Sequence, residues 1–105
     1  MRGQRHELYL LDGTFFEWDT AKAAENVLKH GVTFEEAGSV FKDGHARVYG
    51  DPDHSDDESR FLLVGSSIPR RLLIIASVER GERIRLISAR PVTRRERQDY
   101  EKEKG

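Results

Sequence analysis

Five successive apolar residues, Leu72-Leu73-Ile74-Ile75-Ala76, set the tightest limit on what this chain can become. They lie in a strand expected over residues 71–79. A strand that is apolar at consecutive positions hides both faces, so it belongs inside a sheet with cover above and below. Turn-forming residues bound it, Ser66-Ser67-Ile68-Pro69 before and Arg80-Gly81-Glu82 after. Further strands are expected over 60–65 and 83–89, and links this short require antiparallel neighbours. At 105 residues the chain has interior enough for one domain.

Ahead of this meander, Leu8-Tyr9-Leu10-Leu11 and Thr14-Phe15-Phe16-Glu17-Trp18 flank Asp12-Gly13, a two-residue hairpin signal. Phe16 and Trp18 share the inward face of the second strand and Glu17 the outward one. The first seven residues read as a loose tail. Asp19 is placed to cap a helix over 20–30, on which Ala21, Ala24 and Leu28 form an apolar stripe beside Val27. Gly31 ends that helix. Thr33 to Glu36 is a capping box opening a second helix, with Phe34, Ala37 and Phe41 on its apolar face. A short strand over 46–49 and an acidic loop over 50–59 follow. After Pro91, a charged C-terminal helix is expected over 94–102, capped near Thr93, with Tyr100 as its main large apolar-bodied residue. The order describes an α+β domain: an antiparallel β-sheet, two N-terminal helices packed on it, and a C-terminal helix.

The formal net charge is −1, which by itself argues against a polyanion partner. Split along the chain it reads differently. Residues 1–59 carry 6 Lys and Arg against 13 Asp and Glu, a net of −7; residues 60–105 carry 12 against 6, a net of +6. Ten of those twelve bases are arginines, whose planar fork suits phosphate. Such asymmetry points to nucleic acid, and equally to a salt-bridged surface. On the strand Arg83-Ile84-Arg85-Leu86, alternation puts both arginines on one face. Two guanidinium groups about 7 Å apart need an anion between them. Phosphate is one candidate; Glu79, Glu82 or Glu58 is the other. Arg60 opens an adjoining strand and Arg90 closes the last.

Other chemistries fail on residue type or spacing. There is no cysteine, which removes disulfides and thiolate chemistry. The loop Asp51-Pro52-Asp53-His54-Ser55-Asp56-Asp57-Glu58 lacks the glycine and glutamate positions of a calcium-binding loop. His6, His30, His45 and His54 include no i, i+4 pair, so no zinc-protease motif exists. No serine sits in a nucleophile elbow. His54 remains of interest, because histidine works as an acid or base near neutral pH. No metal and no cofactor is called for. No apolar run approaches the roughly 20 residues of a membrane span, and no apolar leader stands at the start, so a cytoplasmic protein without membrane contact is expected.

One ordered set of residues is familiar. Phe16-Glu17-Trp18-Asp19, Lys22, Asn26, Lys29-His30-Gly31-Val32 and Phe34-Glu35-Glu36-Ala37 open it. Asp53-His54-Ser55, Glu58, Arg60-Phe61 and Gly65 continue it. Arg83-Ile84-Arg85, Ile87-Ser88-Ala89-Arg90, Glu96-Arg97 and Tyr100 close it. Together they resemble the BrnT family of bacterial toxins, from about Phe16 to Tyr100. On that resemblance, residues 16–105 are one toxin domain and 1–15 an extension or hairpin strand. The resemblance implies a RelE-like fold and metal-independent RNA cleavage that inhibits translation and growth. It also implies a BrnA-type antitoxin that blocks the toxin, with operator DNA reached only through that antitoxin. The catalytic candidates are His54 or Glu79 as base, Arg83 and Arg85 for the developing phosphorane charge, and Tyr100 to stack or donate a proton. Arg60, Arg80 and Arg90 are candidates to position the RNA backbone. A non-catalytic nucleic-acid-binding regulator is the alternative.

Overall fold

In the computed structural model, which describes residues 6–11, 13–57 and 59–104, the hairpin signal becomes β1 (His6–Leu11) and β2 (Thr14–Asp19). Gly13 takes a φ of 83°, open to glycine at little cost. Asp12, the other half of the signal, and residues 1–5 lie outside the described residues. His6 and Glu7, expected in the tail, belong to β1.

Asp19 Oδ1 accepts from the Ala21 amide at 2.8 Å and starts α1 (Thr20–His30), which Gly31 ends in the left-handed conformation. Thr33 Oγ1 accepts from the Glu36 amide at 3.0 Å and starts α2 (Phe34–Ser39). The Glu36 carboxylate does not close a reciprocal box. It takes Arg71 Nε at 2.9 Å and Ser67 Oγ at 2.8 Å, tying α2 to the turn before the central strand. A 3₁₀ turn, Val40–Lys42, leads to β3 (Arg47–Gly50). The meander is β4 (Arg60–Ser66), β5 (Leu72–Arg80) and β6 (Arg83–Pro91), and α3 (Arg94–Lys104) follows it.

The six strands form one sheet in the order β1-β2-β6-β5-β4-β3. It is mixed rather than antiparallel, because β2 and β6 run parallel, with Glu17 opposite Arg85. Short links dictate direction only between chain neighbours. β2 and β6 meet after the whole meander is built, and no local signal fixes their sense.

One face of the central strand is covered along its length and the other at Leu72 and Ile74. On one, Phe16, Trp18, Leu63, Leu73, Ile75, Leu86 and Ala89 pack with Val32, Phe34, Ala37 and Val40. On the other, Tyr100 of α3 covers Val64 and Leu72, with Ile74 and Val92 beside them. Each Val, Leu, Ile or Phe among them contributes about 1.5–3 kcal/mol when fully buried. Gly65 lets the 3₁₀ turn approach β4: a Cβ there would lie 2.9 Å from that of Ala46 and 3.0 Å from Val40 Cγ1.

The apolar stripe expected to seat α1 faces outward instead. Ala21, Ala24, Val27 and Leu28 are exposed, Leu28 by 86%, and Asn26 is the buried residue. The cause is a hydrogen-bonding demand. Beyond Arg85, β6 has lost its neighbour, because β2 has turned into α1. Asn26 stands in for a strand there: its Nδ2 donates to the Ala89 and Val32 carbonyls, and its Oδ1 accepts from the Ala89 amide.

Candidate functional site

The sheet face away from α1 and α2 presents the arginines of β4 and β6. Arg60, Val78 and Arg85 are register partners across β4, β5 and β6. The next row is Leu62, Ala76 and Ser88, and the one after is Val64, Ile74 and Arg90. A bulge between Ala76 and Ser77 keeps Arg85, Ser88 and Arg90 on this face despite their uneven spacing. α3 overlies the third row and leaves the first two open.

The acidic loop folds over the edge of these rows. Asp51 Oδ1 accepts from the Asp53 amide at 3.0 Å and starts a 3₁₀ turn, Pro52–His54. Its Oδ2 lies 3.4 Å from His54 Nδ1 and 3.9 Å from Arg60 Nε. Asp51 is buried, while the His54 side chain is about half exposed at 46%. One sheltered carboxylate thus orients an accessible imidazole and faces a guanidinium. The Arg60 Nε is buried with no hydrogen-bond partner among the described residues. Beside them a groove of about 320 Å³ runs over Leu62, Ala76 and Ser88 between Asp51 and Arg90.

Arg83 and Arg85 share a face, and Glu17 supplies the anion between them, at 3.4 Å and 2.9 Å. Burial acts to raise the Glu17 carboxyl, but hydrogen bonds from Arg85 and Arg83 and the charge of Arg80 hold it below its usual range. The parallel β2–β6 register puts Glu17 there. The acids considered from sequence do not fill that place. Glu79 is opposite Ile84, on the core-facing side of β5, and stands away from Arg60 and Arg85. Glu82 is in the turn, and Glu58 lies outside the described residues.

Arg90 makes a two-pronged pair with Glu96, at 2.8 Å and 2.9 Å. Hydrogen bonds from Arg90, with those from Thr93, outweigh burial and hold Glu96 at about 2. Tyr100 is buried at 5%, and its hydroxyl donates to the His45 carbonyl at 3.1 Å. It fastens α3 to the sheet rather than facing the groove mouth. The structure therefore brings Arg60, Arg85 and Arg90 to one face, with Arg83 and Arg80 at its end, and places His54 on the loop at its edge, next to Asp51 and Arg60. Glu79 and Tyr100 are not part of that opening.

Sequence reasoning missed Asp51, Glu17 and Tyr49. For Asp51 a signal existed, since Asp-Pro-Asp-His is a capped turn that brings residues three apart together. Tyr49 donates its hydroxyl to Glu103 on α3, and Arg47 Nη2 donates to the Glu103 carbonyl at 2.7 Å. No helix among the described residues is long and apolar enough to cross a membrane.

Comparison with known proteins gives a consistent result. Residues 18–96 match the family model described as the ribonuclease toxin, BrnT, of type II toxin-antitoxin systems. No curated protein matches the chain. Among solved structures, the ribonuclease toxin BrnT of Brucella abortus superposes with a TM-score of 0.58 at 20% identity, covering 73% of this chain and 94% of that one. At that identity the likeness concerns the fold.

Proposed function

This chain belongs to the BrnT family of ribonuclease toxins of type II toxin–antitoxin systems, and from that premise we propose that it cuts RNA on the open sheet face without a metal ion. The ribose 2′-hydroxyl attacks the adjacent phosphorus in line. The O2′–P bond forms and the P–O5′ bond breaks, leaving a 2′,3′-cyclic phosphate. Neither a protein nucleophile nor a Lewis acid is needed for that step.

The observation that carries this reading is the Asp51–His54–Arg60 constellation. With Nδ1 turned to Asp51, the other ring nitrogen, Nε2, takes the 2′ proton; the departing O5′ gains one from water. Asp51 fixes the tautomer, as a carboxylate does for a catalytic imidazole. Arg60, with its guanidinium in the same row as Arg85, stabilises the extra charge on the phosphorane. Arg85 extends the same row, and Arg90, Arg83 and Arg80 hold the backbone on either side. Glu79 has no part in proton transfer, since it stands on the far face. Tyr100 supports α3.

The remaining features follow from the same reading. The meander flanked by helices on one face and α3 on the other is RelE-like. Residues 16–105 form the toxin domain and residues 1–15 an extension, whose β1 (His6–Leu11) is an edge strand. A ribonuclease toxin of a type II system has an antitoxin partner and RNA as its substrate; here the antitoxin is of the BrnA type, covers the arginine face, and alone contacts operator DNA. The setting is the cytoplasm.

The test is purified protein incubated with RNA in excess chelator. Wild type cleaves, and His54→Gln and Arg60→Ala, each folded by thermal melting, lose at least about a hundredfold. Salt-sensitive binding without cleavage would replace the enzyme by a non-catalytic regulator. Full cleavage by folded His54→Gln would remove the imidazole from the mechanism.

A further inference from the structure

The groove does not end at Arg90. It continues beneath α3 into a larger cavity of about 580 Å³, and the two share Pro52, Leu62, Ile74 and Glu96 in their walls. The lining changes along this path. The open rows carry arginines, whereas the α3 wall of the cavity presents Glu96, Asp99 and Glu103 on one helix face, with Lys102 beside them, above an apolar floor of Leu62, Val64 and Ile74. A nucleobase suits such a space, because an aromatic ring fits the apolar floor and its N–H edge suits carboxylates.

Resting on the ribonuclease reading, we propose that this cavity is a base-recognition pocket for the nucleotide next to the scissile phosphate, and that it selects guanine. The argument is one of donors and acceptors. Two of the three carboxylates are engaged: Glu96 with Arg90, and Glu103 with the Tyr49 hydroxyl. Among the described residues Asp99 is held only by Arg95, at 3.7 Å, in an exposed pair on its own helix. It is the acceptor available to a ligand. Guanine offers two adjacent donors, N1–H and N2–H, which match the two oxygens of one carboxylate. Adenine and cytosine put a ring acceptor beside their amino group, and uracil has a single N–H between two carbonyls, so each turns a lone pair toward the carboxylate. The Tyr49 ring, itself partly exposed, borders the same space and gives the base an aromatic wall. Asp99 thus determines specificity without touching the reacting atoms.

The test uses the full chain and oligoribonucleotides that differ in one base beside the cut, with chelator present. Wild type is expected to cleave the guanine substrate at least about tenfold faster than the uracil one, the discrimination a bidentate contact provides. Asp99→Asn should bring that ratio below about threefold while the uracil rate holds within about twofold and the melting temperature stays put. A variant that kept the full guanine preference would overturn the proposal, as would a wild type indifferent to the neighbouring base. So would an Asp99→Asn variant whose only defect is weaker neutralisation by antitoxin, which would make the cavity a protein-docking site. Wild type that cuts no RNA at all would refute the ribonuclease mechanism itself, a distinguishable failure.

Discussion

Removing the Asn26 amide should unfold this domain more effectively than removing any one apolar residue of α1. Its side chain makes three hydrogen bonds of 2.8–3.0 Å, to the Ala89 carbonyl and amide and to the Val32 carbonyl. Val32 and Ala89 are fully buried. In Asn26→Ala those three backbone groups lose their partners, and a buried unsatisfied group costs about 1–3 kcal/mol. Partial relaxation and an entering water lower the sum, giving about 3–5 kcal/mol in total. That is a large share of the roughly 5–15 kcal/mol by which a domain is stable. The melting temperature should fall by about 12–30 °C, at roughly 4–6 °C per kcal/mol for a chain of this length. Asn26→Asp should be worse, since it turns an acceptor toward two carbonyl oxygens. Trp18 is the only tryptophan, 2% exposed and stacked on Tyr9 at 4.1 Å, so its fluorescence reports core loss in a urea titration. Leu28→Ala, at a residue 86% exposed, is the control and should change stability by less than about 0.5 kcal/mol. An Asn26→Ala loss below about 1 kcal/mol with an unchanged urea slope would refute the claim that this side chain replaces a missing strand.

Other perturbations test the site and its supports. Glu96 is held at about 2 against an ordinary 4.5, so the stability it adds is present above pH about 4.5 and is lost as the pH falls toward 2. Since Glu96 and Arg90 are each about a third exposed, the loss amounts to roughly 1–2 kcal/mol, and Glu96→Gln should flatten acid denaturation curves over that window. Glu17→Gln should release Arg83 and Arg85 toward RNA. In a His54→Gln background that does not cleave, binding should tighten and the salt slope steepen by about 0.7 for each further phosphate neutralised; an unchanged slope would mean those arginines never meet RNA. Gly65→Ala places a Cβ 2.9 Å from both Ala46 Cβ and Asp43 Oδ2, and should cost about 1–3 kcal/mol in chemical denaturation.

What the sequence disclosed and what it hid divide along one physical line. Signals carried by neighbouring residues are realised: the hairpin at Gly13, the Asp19 and Thr33 caps, the Gly31 stop, and a central strand with apolar cover on one face and, at Leu72 and Ile74, on the other. Each depends on local backbone chemistry or on the period of one element. The failures involve partners far apart in the chain. Glu17 meets Arg85 only because β2 lies parallel to β6, and nothing in either strand specifies that direction. The α1 stripe faces solvent because the unpaired backbone of β6 outranks four modest apolar side chains, and no periodicity count weighs the one against the other. The site follows the same division. Alternation is local, and it correctly puts Arg83 and Arg85 on one face; that Glu79 does not share it depends on its register opposite Ile84. Which other strands present arginines beside them is a matter of register, so Arg60 and Arg90 join the face through β5 rather than through any motif. That has a consequence for related chains. A substitution that removes the Ala76–Ser77 bulge while Arg85 stays opposite Val78 would turn Ser88 and Arg90 to the other face of the sheet without altering any site residue, and RNA cleavage should fall although every side chain of the site is still present.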